Sequence, residues 1–482
     1  MSKAKNSMYY FHIAVFLLLS FGVGFLPPFA QITEVGMRVL GIFLGLVYAW
    51  LFIAIDWPSI VAIIFLGLSG YAASVQEMFL EGWSFQVLHQ VLLGFLLAEA
   101  LRVTNLGNYF SEKILGFKLI QGRPYAIIAA LFVLEEVLTL LCCAVAAIVV
   151  VWVLVGEIAQ KAGYGKDSKF VQLMLPAVVA FNAIAGFVWP FMPNSLVCIG
   201  FFGQAMPQLP ISLTSWALWN FLYMVFFTIT WVAIVKFVFR FDFSALANID
   251  NIQQNGAESS KLSKEQKLAL IVLGVFAVGV FAPNFMPDTW FITQVLVKMG
   301  LTGMLSLAII VLVVYRNSDG NSFCSLGSLA HGIPWGVIWL IIATEPVANA
   351  INSETCGIMA SVMGVITPLI SSMSPTLFVF VTVIAIGLTT QVVHNLILMV
   401  VFIPLLCPMY AQMGGNPFVM LLAIEIAAGL ALATPAASWA SALIFGHEDV
   451  IPKFAMIEGI ANFALGVVLF LLIGIPMANI IF

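Results

Sequence analysis

Glu135 and Glu136 stand side by side in an apolar stretch that carries no other charge between Arg123 and Glu157. Glu425 is the lone charge of residues 417–446. His394 and Asn395 interrupt the apolar run 376–409. An ionisable group inside such a run is a functional candidate, because lipid offers it no compensation. It can load a proton, hold a cation or meet a charged solute. Glu135 and Glu136 lie about 11 residues into their run, roughly 16 Å deep at 1.5 Å per residue. Neighbours about 100° apart on a helix do not share one face, so the two acids are expected to meet different partners. The structural alternative is a hydrogen-bonded carboxyl that holds its helix in place. Glu99 and Glu345 sit near the ends of their runs and read as structural. For His394 the choice is between a structural imidazole and one that donates to an anion or carries a proton.

The chain that must position these groups is not soluble. Apolar residues make up 62% of the 482 and charged residues only 8%, with a mean hydropathy of +1.11. Soluble domains carry about 25% charge. The net charge of −4 also removes the basic surface that nucleic-acid binding needs. The six cysteines form no CxxC pair, so buried free thiols are expected rather than disulfides or a zinc site. Walker A, HExxH and GxSxG patterns are absent, which leaves ATP drive and hydrolysis without residues to carry them. We therefore expect no enzyme and no resident cofactor.

Residues 10–27 read as a retained first helix, since Pro27-Pro28 and not a small-residue cleavage site follows. Further apolar runs then recur to the C-terminus, giving a polytopic all-α membrane protein. Runs 124–155 and 376–409 are too long for one comfortable span and too short for two. That length suits re-entrant hairpins, turning near Thr139–Cys143 and Gln391–Asn395. Residues 241–267 are polar and divide the chain. The resulting organisation is an N-terminal helix and loop (1–36), a first repeat (37–240), a linker (241–267) and a second repeat (268–482). Residues 174–200 align without a gap on 420–446, each with an interior proline break: Trp189–Asn194 in one and Ala433–Ser438 in the other. Duplication with interrupted helices is a signature of secondary transporters.

Charge sets the expected topology. With a cytoplasmic N-terminus and two hairpins, 16 of the 18 Lys and Arg fall inside, all but Arg38 and Lys298. The first hairpin then opens to the cytoplasm and the second to the exterior, which is an inverted repeat. The C-terminus is expected outside, and the protein in the plasma or inner membrane. Trp83, Trp216 and Trp290 are expected at the interfaces, and Gly41 and Gly45 at a helix contact.

The stretches GMRVLGIFLGLVYAW, DWPSIVAIIFLGLSGY, IPWGVIWLI, HNLILMVVFIPLL and ATPAASWASALIFG resemble the divalent anion:sodium symporter family of the ion transporter superfamily. The resemblance implies about 11 spans, two re-entrant hairpins, a homodimer and an elevator mechanism. It also implies a site where hairpin tips and broken helices meet. Family members place Ser-Asn-Thr at each tip to hold sodium and a carboxylate. Here the first tip reads Leu141-Cys142-Cys143 and the second His394-Asn395-Leu396, so only Asn395 matches. Carried over residue by residue, the substrate candidates are His394, Asn395, Asn194, Thr434, Pro435, Ser438, Cys142 and Cys143. The sodium candidates are Asn395, Thr139 and Cys143. Thiols are poor ligands for a hard cation, so a changed substrate with fewer carboxylates is one expectation and a dicarboxylate the other. The candidates for proton coupling are Glu135, Glu136, Glu425 and His394. The expected function is secondary-active transport of a small organic anion, coupled to sodium. The alternatives are proton coupling, exchange, or a cation/proton antiporter of the same superfamily. An intramembrane enzyme is the rival from another class.

Overall fold

The computed structural model describes residues 2–104, 109, 122–141, 144–248, 262–316, 322, 324–361, 364, 373–391, 393–435 and 437–482. Among them the chain is helical throughout, and the only bridge is the isolated pairing of Arg316 with Ser322. Seven helices are long and apolar enough to cross a membrane. The number becomes eight if the pair Leu326–Gly332 and Trp335–Asn352, bent by 79°, is one span. Shorter apolar helices at Trp57–Leu68, Lys169–Ala185, Pro375–Thr390 and Pro417–Gly429 complete the set. Cys198, Cys324, Cys356 and Cys407 are buried free thiols, as composition led us to expect. Cys142 and Cys143 lie outside the described residues.

The chain folds as two compact units. The first comprises residues 1–92, 333–379 and 404–415. Its helix Ser2–Gly22 lies against Glu34–Phe52 at Gly41 and Gly45. A Cβ at Gly41 would stand 2.9 Å from the Leu19 carbonyl, and one at Gly45 would stand 3.0 Å from that of Phe16. Only glycine permits this approach, and the expected small-residue contact is present. Helix Glu34–Phe52 starts at an N-cap, Thr33, whose hydroxyl accepts from Gly36 N. The Thr33 amide donates to the Cys356 carbonyl at 3.1 Å, tying in the segment after Trp335–Asn352. Within this unit Asn349 donates to Glu81 at 2.6 Å.

The second unit comprises residues 93–332, 380–403 and 416–482. Its centre is aromatic. Phe132 stacks on Phe181 with centroids 3.8 Å apart, and Trp231 meets Phe132 edge-on at 4.8 Å. These contacts join helices Pro124–Leu141, Lys169–Ala185 and Leu213–Ala233. Buried indoles spend their N–H on distant carbonyls: Trp219 on Gly474 at 3.1 Å and Trp216 on Phe187 at 2.8 Å. Trp216 is fully buried, which corrects its assignment to a membrane interface; Trp83 and Trp290 are exposed. The Phe187 carbonyl, freed where a helix stops, supplies an acceptor that a lipid-facing indole would lack.

Candidate functional site

Each of the two long apolar runs holds two described helices. Pro124–Leu141 and Ala144–Lys161 flank residues 142–143, and Pro375–Thr390 and Asn395–Gln412 flank 391–394. The two aligned stretches break where their prolines stand. Lys169–Ala185 is followed by Pro193–Ala205, and Pro417–Gly429 by Trp439–Gly446. In the alignment Pro193 pairs with Trp439, so both second helices start at the same position. Proline is favoured in the first helical turn because that turn has N–H groups without partners. Such ends leave backbone donors and carbonyls unpaired.

The second break and the 391–395 turn are laced together. The Gln391 amide oxygen accepts from Leu432 N at 3.1 Å and Ala433 N at 2.8 Å. Its nitrogen donates to the Gly387 and Leu430 carbonyls at 2.9 and 3.1 Å. The Thr434 hydroxyl donates back to the Gln391 carbonyl. Asn395 N donates to the Ala437 carbonyl at 3.1 Å. Ser438 caps Trp439–Gly446 by accepting from Ser441 N at 3.0 Å, and donates to the Ala431 carbonyl at 2.9 Å. One glutamine side chain thus satisfies three backbone groups that the broken helix exposes and one carbonyl of its own preceding helix, which fixes the turn against the break.

The candidate residues at this place differ in how free they are. The Asn395 amide oxygen is taken by Leu396 N at 2.9 Å, while its Nδ2 donates to no described residue. His394 is half-buried; its Nδ1 accepts from Leu396 N at 3.3 Å, which leaves Nε2 available. Thr434 and Ser438 spend their hydroxyl protons on the backbone, and Pro435 is exposed. Asn194 is half-buried at the first break, and its side chain makes no hydrogen bond with a described residue. The first break adjoins this region. Phe187 lies against Gly429, and Cys198 Sγ stands 3.9 Å from Met399 Sδ.

The buried acids form separate groups. Asn182 Nδ2 donates to Glu135 Oε1 and to Thr139 Oγ1, both at 2.7 Å, and lies 3.0 Å from the Ala144 carbonyl. It therefore clamps both helices flanking residues 142–143. The Thr139 hydroxyl donates to Glu135 and accepts from Asn182, so it is already engaged. Glu136 instead receives the hydroxyl of Thr228 from helix Leu213–Ala233. The two neighbours do face different partners. Glu425 is fully buried, and its carboxylate lies beside the Asn220 side chain without a close hydrogen bond to any described residue. A further acid, Glu458, accepts from Asn462 at 3.2 Å, and Asn462 accepts from the Trp231 indole at 2.9 Å.

Gln391, Asn182, Thr228 and Glu458 were not singled out by the sequence. Asn182, Thr228 and Gln391 have partners far away along the chain, and Glu458 meets Asn462 one turn on its own helix. The one available signal was the placement of Gln391 at the expected turn. No group of three or more His, Cys, Asp and Glu capable of holding a metal occurs among the described residues. A sodium ion would instead need carbonyl, hydroxyl and amide oxygens. The second break has these, although Thr434, Ser438 and Gln391 all make hydrogen bonds of their own.

No family model matches the sequence. A curated relative, the Na(+)/citrate cotransporter of Rattus norvegicus, is 27% identical over 121 residues, or 25% of this chain and 21% of that protein. The match thus spans about a fifth of the relative's length. Among solved structures, the YdaH transporter of Alcanivorax borkumensis, described as having an unusual topology, superposes with a TM-score of 0.59. The superposition covers 84% of this chain and 86% of that one at 13% identity. The chain is an all-helical, polytopic membrane protein with the fold of that transporter, and its likeness to the Na(+)/citrate cotransporter agrees with its resemblance to the divalent anion:sodium symporters.

Proposed function

We propose that the protein is a secondary-active transporter of a small organic anion, a mono- or dicarboxylate, driven by sodium. The observation that carries the reading is the knot between the 391–395 turn and the 430–438 break. There a rigid backbone presents the Asn395 Nδ2 and His394 Nε2 donors that no described residue occupies. Two such donors suit one carboxylate, and Asn194 at the adjacent break offers a third polar group. Sodium would take oxygens of the same region, as the relative's name suggests for that protein. We read the two helix–break–helix stretches as inverted repeats, each with a re-entrant hairpin. The unit that holds both breaks would carry the solute as an elevator within a homodimer.

The test is uptake into proteoliposomes of labelled citrate, succinate and acetate under an imposed sodium gradient. Accumulation of at least one, lost on Asn395→Ala in a folded protein, supports the reading. Absence of uptake for every carboxylate, under sodium and proton gradients alike, would overturn it. A second reading, proton coupling or a cation/proton antiporter, is favoured by three buried acids and the half-buried Glu458 of the same unit. Proton flux driven by sodium with no organic solute present would select the antiporter.

A further inference from the structure

Away from both breaks, the second unit holds a cavity of about 590 Å³. It lies where the helices Ala144–Lys161 and Trp439–Gly446 end. Its volume is in the range of small-ligand sites, about 300–1,000 Å³. One wall is the outward face of Ala144–Lys161, where Val149, Val153, Gly156 and Gln160 are exposed in succession. A Cβ built on Gly156 would meet nothing within 4 Å, so this glycine leaves a notch in the apolar wall. The rim is polar and carries both signs of charge. Lys166 pairs with Asp449, while Glu448 is exposed and makes no ion pair among the described residues. Tyr164 lines the cavity, while its hydroxyl is buried with no hydrogen-bond partner among the described residues. Gln172 holds the rim in shape by donating to the Lys166 and Asp449 carbonyls at 2.8 and 2.6 Å and accepting from Ile451 N at 2.9 Å.

We propose that this cavity is a binding site for one membrane phospholipid whose headgroup joins a phosphate to a primary ammonium. The acyl chain would run along Val149, Val153 and the Gly156 notch, which are exposed. Lys166 would hold the phosphate, and Glu448 and Asp449 the ammonium. The charge pattern selects this headgroup. Two acids against one lysine repel a headgroup that is only anionic. A quaternary ammonium has no N–H to give a carboxylate and is better held by an aromatic cage. The one indole lining this cavity, Trp152, has His447 packed edge-to-face against it at 4.8 Å. The site is independent of the transported solute and of the coupling ion.

The experiment is native mass spectrometry of the purified full-length protein, offered equal amounts of phosphatidylethanolamine, phosphatidylcholine and phosphatidylglycerol. We expect phosphatidylethanolamine to be retained about tenfold over either rival, the scale of one desolvated charge pair. Glu448→Gln should erase that preference. Gly156→Leu, which fills the notch at an ordinary helical position, should lower retention of all three; Val153→Gln on the same exposed face serves if that variant does not fold. Equal retention of the three lipids, a preference for phosphatidylglycerol, or full retention in the folded notch-filling variant would overturn the proposal. So would displacement of the lipid by equimolar soluble phosphoethanolamine, which would make the occupant a water-soluble metabolite.

Discussion

Ser195 and Ser441 occupy the same position in the two aligned stretches, and each turns its hydroxyl back onto its own helix break. Ser195 donates to the Phe187 carbonyl at 3.0 Å. Ser441 stands 2.6 Å from the Thr434 carbonyl and 3.2 Å from that of Leu432. All three carbonyls belong to backbone that has left its helix, and both serines are fully buried. A helix interrupted inside an apolar core must satisfy its freed groups internally. The two stretches do so with the same residue at the same place.

Removing either hydroxyl takes one hydrogen bond from its break, although the Phe187 carbonyl keeps the Trp216 indole and the Thr434 carbonyl keeps the Ala437 amide. Ser195→Ala and Ser441→Ala should each destabilise the protein by ~0.5–1.5 kcal/mol, read as a lower Tm in detergent. Ser441→Ala should lower uptake more strongly, because its break also holds the 391–395 turn. A Tm unchanged in both variants would mean that the hydroxyls are not what closes the breaks.

Asn182 should behave as a clamp. Asn182→Ala leaves the Glu135 Oε1 and the Ala144 carbonyl without their amide donor, at a cost of ~1–3 kcal/mol. Glu135→Gln removes the charge but keeps an oxygen acceptor for Asn182. A double-mutant cycle on thermal stability should therefore show coupling between the two positions. Additive effects would separate the acid from the clamp.

Asn395→Ala should abolish uptake while the protein still folds and inserts. Its backbone N–H to Ala437 survives the change, so the turn stays attached to the break. What is lost is the Nδ2 donor, together with the bond from Leu396 N to the amide oxygen. Wild-type uptake by this variant would move the solute site elsewhere.

How far these features were legible depended on whether the signal was local. Breaks at Trp189–Asn194 and Ala433–Ser438 announced themselves through proline, whose effect on a helix needs no tertiary information. The divergence of Glu135 and Glu136 followed from helix geometry alone. The Gly41 and Gly45 contact was readable because small residues one turn apart have few other uses in an apolar helix. Trp216 misled, because an indole in a membrane protein serves an interface or a buried carbonyl equally well, and only the position of Phe187 decides. Gln391 and Asn182 were missed because a lone amide in an apolar run does not disclose which distant backbone it satisfies. The polar linker was legible, but residues 249–261 lie outside those described.

Topology remains a prediction from charge. A cysteine placed at Ser260, itself outside the described residues, should be protected from an impermeant thiol reagent in sealed cells. Labelling from outside would reverse the linker and remove the inverted-repeat arrangement.

The last prediction separates structural acids from coupling ones. Glu135 and Glu136 each accept a hydrogen bond through one oxygen, a role that glutamine can keep. If they are structural, Glu135→Gln and Glu136→Gln should retain stability and uptake under a sodium gradient alone, unaffected by a proton ionophore. Glu425 differs, because it makes no close hydrogen bond among the described residues, with only the Asn220 side chain beside it. A buried polar group without a partner opposes folding, so Glu425→Leu should leave the Tm unchanged or raise it. With stability held, its uptake becomes diagnostic. Retained uptake would make Glu425 a passenger of the core. Lost uptake in a protein at least as stable as wild type would give this acid a part in transport. Accumulation driven by an inward proton gradient in sodium-free buffer, and lost in Glu135→Gln, Glu136→Gln, Glu425→Leu or His394→Gln, would replace sodium with the proton as the coupling ion.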